Sequence, residues 1–412
     1  MGKLPDVGIV MPVYTQKPDF LRQALESVLQ QIFTDYELVI VIDGDPQMEP
    51  IVKGYTVSDP RVSVISYPTN QGVAHALNTG FNVLLSNPDI KYLTWVSSDN
   101  IYDPHFLEVL RASLIKGPQS LGIVYSSFQS IDNEGNLLSD EHHLAALRQY
   151  QGQSKEKLLD SSIIGVSFMY KAELAKIVGE YRMQPVEDYE YWLRLVEHCE
   201  IRFLPVELMK YRVNSPFSVS AQLHTTEHHR RWRYTYHLAR LQARCRREIA
   251  PVLTILYPVQ TAELSHIKAV EDMYEQTFSN YIFRVMDLSH DGQPTSVLAE
   301  ISHPITEFIW MPGASVQHAV YRMLLSVTTP YTIIYGPEPF TSYMDIQYLM
   351  ENLIKNDHLA ISNYYTEDHT LIGYRNKGVP NVKKTNTNEL FKSAELLELY
   401  SQIMITNTDE KE

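Results

Sequence analysis

Two adjacent carboxylates, Glu187 and Asp188, stand just after Pro185 at the head of the segment Glu187-Asp188-Tyr189-Glu190-Tyr191-Trp192-Leu193-Arg194-Leu195. Tyr189, Trp192, Leu193 and Val196 recur at i, i+3, i+4 and i+7, which predicts an amphipathic helix anchored by one apolar stripe. A carboxylate aimed from such a rigid element is what a general base requires. Acids in a first turn also favour the positive end of the helix dipole, so the local pattern alone leaves both readings open.

The elements that would position these acids alternate along the first half of the chain. Val7 to Tyr14 reads as a strand ending in Pro12-Val13-Tyr14, and Pro18-Asp19 opens a helix through Leu21, Ala24, Leu25 and Val28. Glu37 to Ile42 is a β-branched run stopping at Asp43-Gly44-Asp45. Val62 to Tyr67 reads as a third strand, followed by Asn70-Gln71-Gly72 and an apolar helix; Tyr92 to Val96 reads as a fourth and runs into Ser97-Ser98-Asp99-Asn100. Strands alternating with helices predict an α/β fold with a mostly parallel sheet, in which ligands bind beyond the carboxyl ends of the strands. Tyr14, Asp43 and Asp99 each fall at such an end. Asp43 also suits a turn cap before Gly44, and Asp99 a cap for the helix after Pro104.

The 412 residues, 44% hydrophobic and 20% charged, describe an ordinary globular chain long enough for two or three cores. A formal net charge of -14 argues against nucleic acid as the main partner, since phosphate backbones require a broad basic field. The two cysteines, Cys199 and Cys245, lie in neither a disulfide framework nor a zinc spacing. With no signal-like apolar segment at Met1 and no apolar run of about 18 residues, the expectation is a cytoplasmic protein.

Residues 224 to 249 are rich in His and Arg, opposed only by Glu227 and Glu248, and read as a basic helical connector. The second half then echoes the first: Ile255-Leu256-Tyr257-Pro258-Val259 repeats Ile9 to Val13, Glu275 to Tyr281 repeats Gln30 to Tyr36, and Tyr331 to Tyr335 repeats Tyr92 to Val96. The expected organisation is a first α/β domain over 1–222, a connector over 223–250, a degenerate copy over 251–382 and a C-terminal helix and tail over 383–412. In the copy, Asp43 falls opposite Leu288 or its neighbour, and Ser97 to Asn100 falls opposite Gly336-Pro337-Glu338-Pro339.

Taken in order, Met11 to Tyr14, the helix through Leu29-Gln30-Gln31, Val39 to Asp45, Asn70-Gln71-Gly72 with Asn78, Trp95 to Asp103, the Glu187 to Leu195 helix, and Tyr211-Arg212 followed by Ser218 and Ser220 resemble the family-2 glycosyltransferases. The resemblance implies a GT-A (Rossmann-like) fold and an inverting transfer from a nucleotide-sugar, a UDP-sugar first, to an acceptor hydroxyl in glycan or cell-surface polysaccharide synthesis. It implies Asp188 as base and Glu187 as the group orienting the acceptor or its own neighbour. Pro12, Val13, Tyr14, Asp43, Asn70, Gly72, Asn78, Ser98 and Arg212 would contact the nucleotide-sugar, and Asp99 would hold Mn²⁺ or Mg²⁺. Ser97 stands where the family has the first acid of its Asp-x-Asp element, and Asn214 where it often has His. His228 to Trp232 resembles the Gln-x-x-Arg-Trp motif of processive members, which brings in Arg231 and Trp232 at the diphosphate or acceptor. Contact with the inner membrane face through the arginines, and a homo-oligomer through the second unit, stay open. The alternative is a non-catalytic GT-A scaffold that binds a glycan or a partner, motivated by Ser97, Asn214 and the degenerate copy.

Overall fold

Four apolar runs of the first half pair side by side in a computed structural model, which describes residues 4–218, 221, 223–336, 340, 342–356, 360–365, 372–376 and 387–409. They are β1 (Val7–Val13), β2 (Tyr36–Asp43), β3 (Val62–Tyr67) and β4 (Tyr92–Trp95). All pair in parallel, with Val7 opposite both Tyr36 and Tyr92. Short β5 (Ile101–Tyr102), long β6 (Leu121–Ile131), β7 (Phe168–Lys171) and β8 (Glu200–Arg212) complete the sheet in the order β3-β2-β1-β4-β7-β6-β8-β5. β7 runs antiparallel to both β4 and β6. The result is the expected α/β class.

The helices around this sheet follow from the same periodicity. α1 (Pro18–Leu29) has proline in its first turn and buries Phe20, Leu21, Ala24, Leu25 and Val28. α2 (Glu49–Thr56), α3 (Val73–Leu85), α4 (Phe106–Lys116), α5 (Glu141–Gln151) and α6 (Ala172–Val178) lead to α7 (Glu187–Leu195). One core gathers Val7, Ile9, Met11, Leu38, Ile40 and Ile42 from the strands with Leu21, Leu25 and Leu110 from the helices. Fully burying each such side chain contributes roughly 1.5–3 kcal/mol, so the strand ends are held by a heavily buried frame.

A second sheet has the order β11-β10-β9-β12-β15-β13-β14, from β9 (Leu253–Val259), β10 (Tyr281–Asp287), β11 (Thr306–Trp310), β12 (Tyr331–Ile334), β13 (Ala360–Tyr365), β14 (Ile372–Asn376) and β15 (Leu390–Lys392). Leu253 lies opposite both Tyr281 and Tyr331, as Val7 lies opposite Tyr36 and Tyr92. β15 is antiparallel to β12 and to β13. The chain divides into two compact units, Met1–Ala239 and Arg240–Glu412, and the division falls inside the helix Thr226–Arg246 that the sequence marks as a connector. The positions around 382 proposed as a boundary lie outside the described residues. Among the described residues, no helix is long and apolar enough to cross a membrane.

Candidate active site

Asp43 ends β2, 2% exposed, and both its carboxylate oxygens are engaged. Oδ1 accepts from the Gln71 N–H at 2.8 Å and Oδ2 from the Gly72 N–H at 2.9 Å, while Asn70 Nδ2 donates to the Asp43 carbonyl at 3.2 Å. Asp43 therefore ties the turn before α3 to the end of β2. Gly44 makes that approach feasible: its φ is +86°, and a Cβ there would sit 2.1 Å from the backbone nitrogen of Asn70. Pro12 and Val13 close β1 beside this turn, Val13 opposite Ile42, and Tyr14 follows half exposed.

The same turn is gripped from the α6–α7 loop. With its amide oxygen facing α3, Gln184 accepts from the N–H groups of Val73 (2.7 Å) and Ala74 (2.8 Å), capping the helix. A Cβ on Gly72, whose φ is +94°, would strike that amide at 2.6 Å. Asn78 makes a second tie, donating to the Tyr181 carbonyl (3.0 Å) and accepting from its N–H (2.8 Å). Gln184 is three residues from Glu187, so these bonds carry α7 to the carboxyl end of β2.

α7 is buried nearly all round, where the sequence pattern predicts one apolar stripe. The reason is an internal ion pair. Arg194 Nε donates to Glu190 Oε1 at 2.7 Å and Nη2 to Oε2 at 2.8 Å, with further bonds to the carbonyls of Val178 and Glu180. These bonds neutralise the polar face and lock the helix onto the end of α6. Tyr189 stacks on Tyr236 with ring centroids 4.2 Å apart, and Tyr236 stacks on Trp232 at 4.9 Å. Trp232 thus reaches α7 through Tyr236, whereas Arg231 is exposed.

At the head of α7, Glu187 is 7% exposed and its Oε2 has no hydrogen-bond partner. Burial, reinforced by the charge of Asp188, pushes its carboxyl up to about 8. Asp188 is also raised by burial, opposed by the Tyr189 N–H, which donates to Oδ1 at 2.6 Å. Two neighbouring carboxyls in one dry place disfavour double ionisation, so near neutral pH the pair tends toward a single negative charge.

Asp99 and Ser98 are buried beyond β4. Ser97 Oγ donates to Asp99 Oδ1 at 2.6 Å, and among the described residues the Asp99 side chain accepts no other hydrogen bond. Asn100 Oδ1 accepts from the Arg212 N–H at 2.9 Å, and Arg212 Nε donates to the Asp99 carbonyl at 3.1 Å. A carboxylate beside a hydroxyl is a hard oxygen set that suits Mg²⁺ or Mn²⁺, with phosphate and water completing the shell. Among the described residues no three His, Cys, Asp or Glu side chains gather as a metal cluster. Ser218 bonds back to the Ser215 carbonyl at 2.8 Å, while Ser220 lies outside the described residues. Gln184 and Gln23 were not legible as site neighbours, because each acts through a partner remote in sequence.

Residues 8–178 match the family model described as Glycosyl transferase family 2. An uncharacterized glycosyltransferase of Rickettsia prowazekii is 28% identical over 233 residues, 54% of this chain and 69% of that protein. One of Methanocaldococcus jannaschii is 26% identical over 51% of this chain and 71% of its own, and the chondroitin synthase of Escherichia coli is 29% identical over 48% and 27%. Among solved structures, the Pyrobaculum calidifontis mannosyltransferase PcManGT, in complex with GDP-Man and Mn²⁺, matches at TM-score 0.42 and 13% identity, covering 60% of this chain and 65% of that one. TarS of S. aureus in complex with UDP matches at TM-score 0.43 and 15% identity, covering 57% and 65%. The chain thus spans just under two thirds of each of these two solved chains. Over residues 8–178, within its first unit, the chain is therefore similar to glycosyl transferase family 2.

Proposed function

We propose that the first unit transfers a sugar from a nucleotide-sugar, a UDP-sugar foremost, to an acceptor hydroxyl with inversion at the anomeric carbon. The observation that carries this reading is the chain of ties from Asp43 through Gly72 and the start of α3 to Gln184, three residues before the Glu187-Asp188 pair, which fastens the loop leading into α7 to the end of β2. In this reading Asp188 accepts the hydroxyl proton as the acceptor oxygen forms its bond to the anomeric carbon and the bond to the diphosphate breaks. Glu187, raised to about 8, keeps its proton near neutral pH and supplies a hydrogen-bond donor to the acceptor. The Tyr189 N–H supports the ionised form of Asp188. Asp99, with Ser97, would hold a divalent cation, which when bound supplies positive charge against the leaving diphosphate.

Donor turnover with Mn²⁺ present tests this. Asp188→Asn should lower transfer by about 10²–10⁴-fold with donor binding retained; unchanged turnover removes Asp188 as base. A second reading, a non-catalytic binding module, draws support from the internal bonds that commit Asp43, Asn78 and Arg212 to the fold. Calorimetry with UDP and Mn²⁺ separates the two, since absence of binding favours the module.

A further inference from the structure

Arg212 closes β8 only 2% exposed, and its polar contacts all lead back into the protein. Besides its bonds to the Asp99 carbonyl and to Asn100, Nη1 donates to the Asp132 carbonyl at 2.8 Å and Nη2 to Gln23 Oε1 at 2.8 Å. The guanidinium carbon lies 3.9 Å from the centroid of the Phe20 ring. These partners belong to three separate stretches: α1, the loop after β4, and the hairpin after β6. Burial lowers the Arg212 pKa, opposed by the charges of Asp99, Asp132 and Glu134. Burying a cation costs stability unless hydrogen bonds compensate, and here the compensating acceptors are two loop carbonyls and the Gln23 amide oxygen.

The resemblance puts this arginine on the nucleotide-sugar, but its hydrogen bonds join segments of the fold. Building on the transfer reading above, we propose that Arg212 is a positioning residue: it pins the Asp99 loop between α1 and the Asp132 hairpin, so that the Asp99 carboxylate keeps one placement for a hard divalent cation. The Asp99 side chain itself is left to Ser97 Oγ and to the ion. A planar fork is needed to reach three acceptors at once, and a lysine keeps the charge without the fork.

Two variants of the full chain test this. Arg212→Lys removes the fork, and Gln23→Ala removes one anchor from an exposed position that the core does not depend on. The readouts are hydrogen exchange of the amides of residues 97–102 without ligand, and UDP affinity by calorimetry with and without Mn²⁺. In Arg212→Lys, those amides should exchange faster while β1 and β2 keep their rates. The Mn²⁺-dependent gain in UDP affinity should fall about 10-fold or more, as for other groups that orient metal ligands, with metal-free affinity unchanged. Gln23→Ala should shift both readouts in the same direction by less. Wild-type exchange rates in Arg212→Lys overturn the proposal. Equal loss of UDP affinity with and without Mn²⁺ also overturns it, because that pattern places the guanidinium on the diphosphate. If the wild type binds no UDP with Mn²⁺, the transfer reading fails, and the exchange rates alone decide the clamp.

Discussion

The two sheets share their frame and part company at their carboxyl ends. In the first unit, Tyr36 donates its hydroxyl to the Val28 carbonyl, and Gln31 bonds to the Asp103 carbonyl and the Leu107 N–H. In the second, Tyr281 donates to the Met273 carbonyl, and Gln276 bonds to the Ser342 carbonyl and the Ile346 N–H. The strand ends differ. Asp43 binds the backbone of a separate turn, whereas Asp287 takes four bonds from the segment that directly follows it, from Ser289 N and Oγ and from Thr295 N and Oγ1 in the helix Gln293–Leu298. Burial works to raise Asp287, but those bonds outweigh it and hold its carboxyl below the usual range. Opposite Val259, it holds the register place of Ile42 opposite Val13, one residue short of Asp43. Frame bonds are matched in both units, while one residue's displacement turns a loop-spanning acid into a self-contained turn.

The largest effect that would break this contrast is catalytic. Asp188→Asn should abolish most transfer, while Asp287→Asn should leave transfer within about twofold, because no acid of the second unit takes part in the proposed step; a large loss in the second variant would end the contrast. Next is the cation. Asp99→Asn should reduce Mn²⁺-supported nucleotide affinity by about 10-fold or more while leaving the melting temperature close to wild type, as read by calorimetry and circular dichroism. Third is stability. Asp287→Ala should cost more than Asp43→Ala in urea denaturation, on the order of 1–3 kcal/mol for each donor left buried and unsatisfied, because Asp287 satisfies more of them.

The smallest effect is the pH response of Glu187. Its carboxyl stands at about 8 in the folded chain against an ordinary 4.5, so the folded state binds the proton more tightly than the unfolded state. That contribution to stability is fully present below about pH 4.5 and is lost as pH rises through about 8. Wild-type melting temperature should therefore fall across this window by more than that of Glu187→Gln. Equal slopes would mean that Glu187 meets water in solution.

Much of the frame was legible because it obeys local rules. The β-branched runs became β1 to β4, Pro18 and Asp19 opened α1, and Glu187-Asp188 headed α7 as the 3.6-residue spacing predicts. The stripe expected on α7 is narrower than the buried face, since Glu190 and Arg194 look solvated by type and become buried by pairing four residues apart. The ties that shape the site were not legible for a different reason. Gln184 with Val73, Asn78 with Tyr181 and Arg212 with Gln23 join residues separated by about a hundred positions or more, and nothing in local composition marks a glutamine as a cap for a helix elsewhere in the chain. Asp43 was visible as a carboxylate at a strand end, but its engagement with Gln71 and Gly72 appears only when the turn folds over it.

The cap on α3 also bears on where negative charge can be received. The amides of Gln71, Gly72, Val73 and Ala74 already have acceptors in Asp43 and Gln184, so the positive end of this helix is spent within the protein. A phosphate-bearing ligand arriving there would find no open amide among these four, in a chain whose net charge is -14. Its negative charge would have to be met elsewhere in the site, and in the transfer reading proposed above that falls to the cation held at Asp99, which would make the ionic composition of the surroundings a control on occupancy.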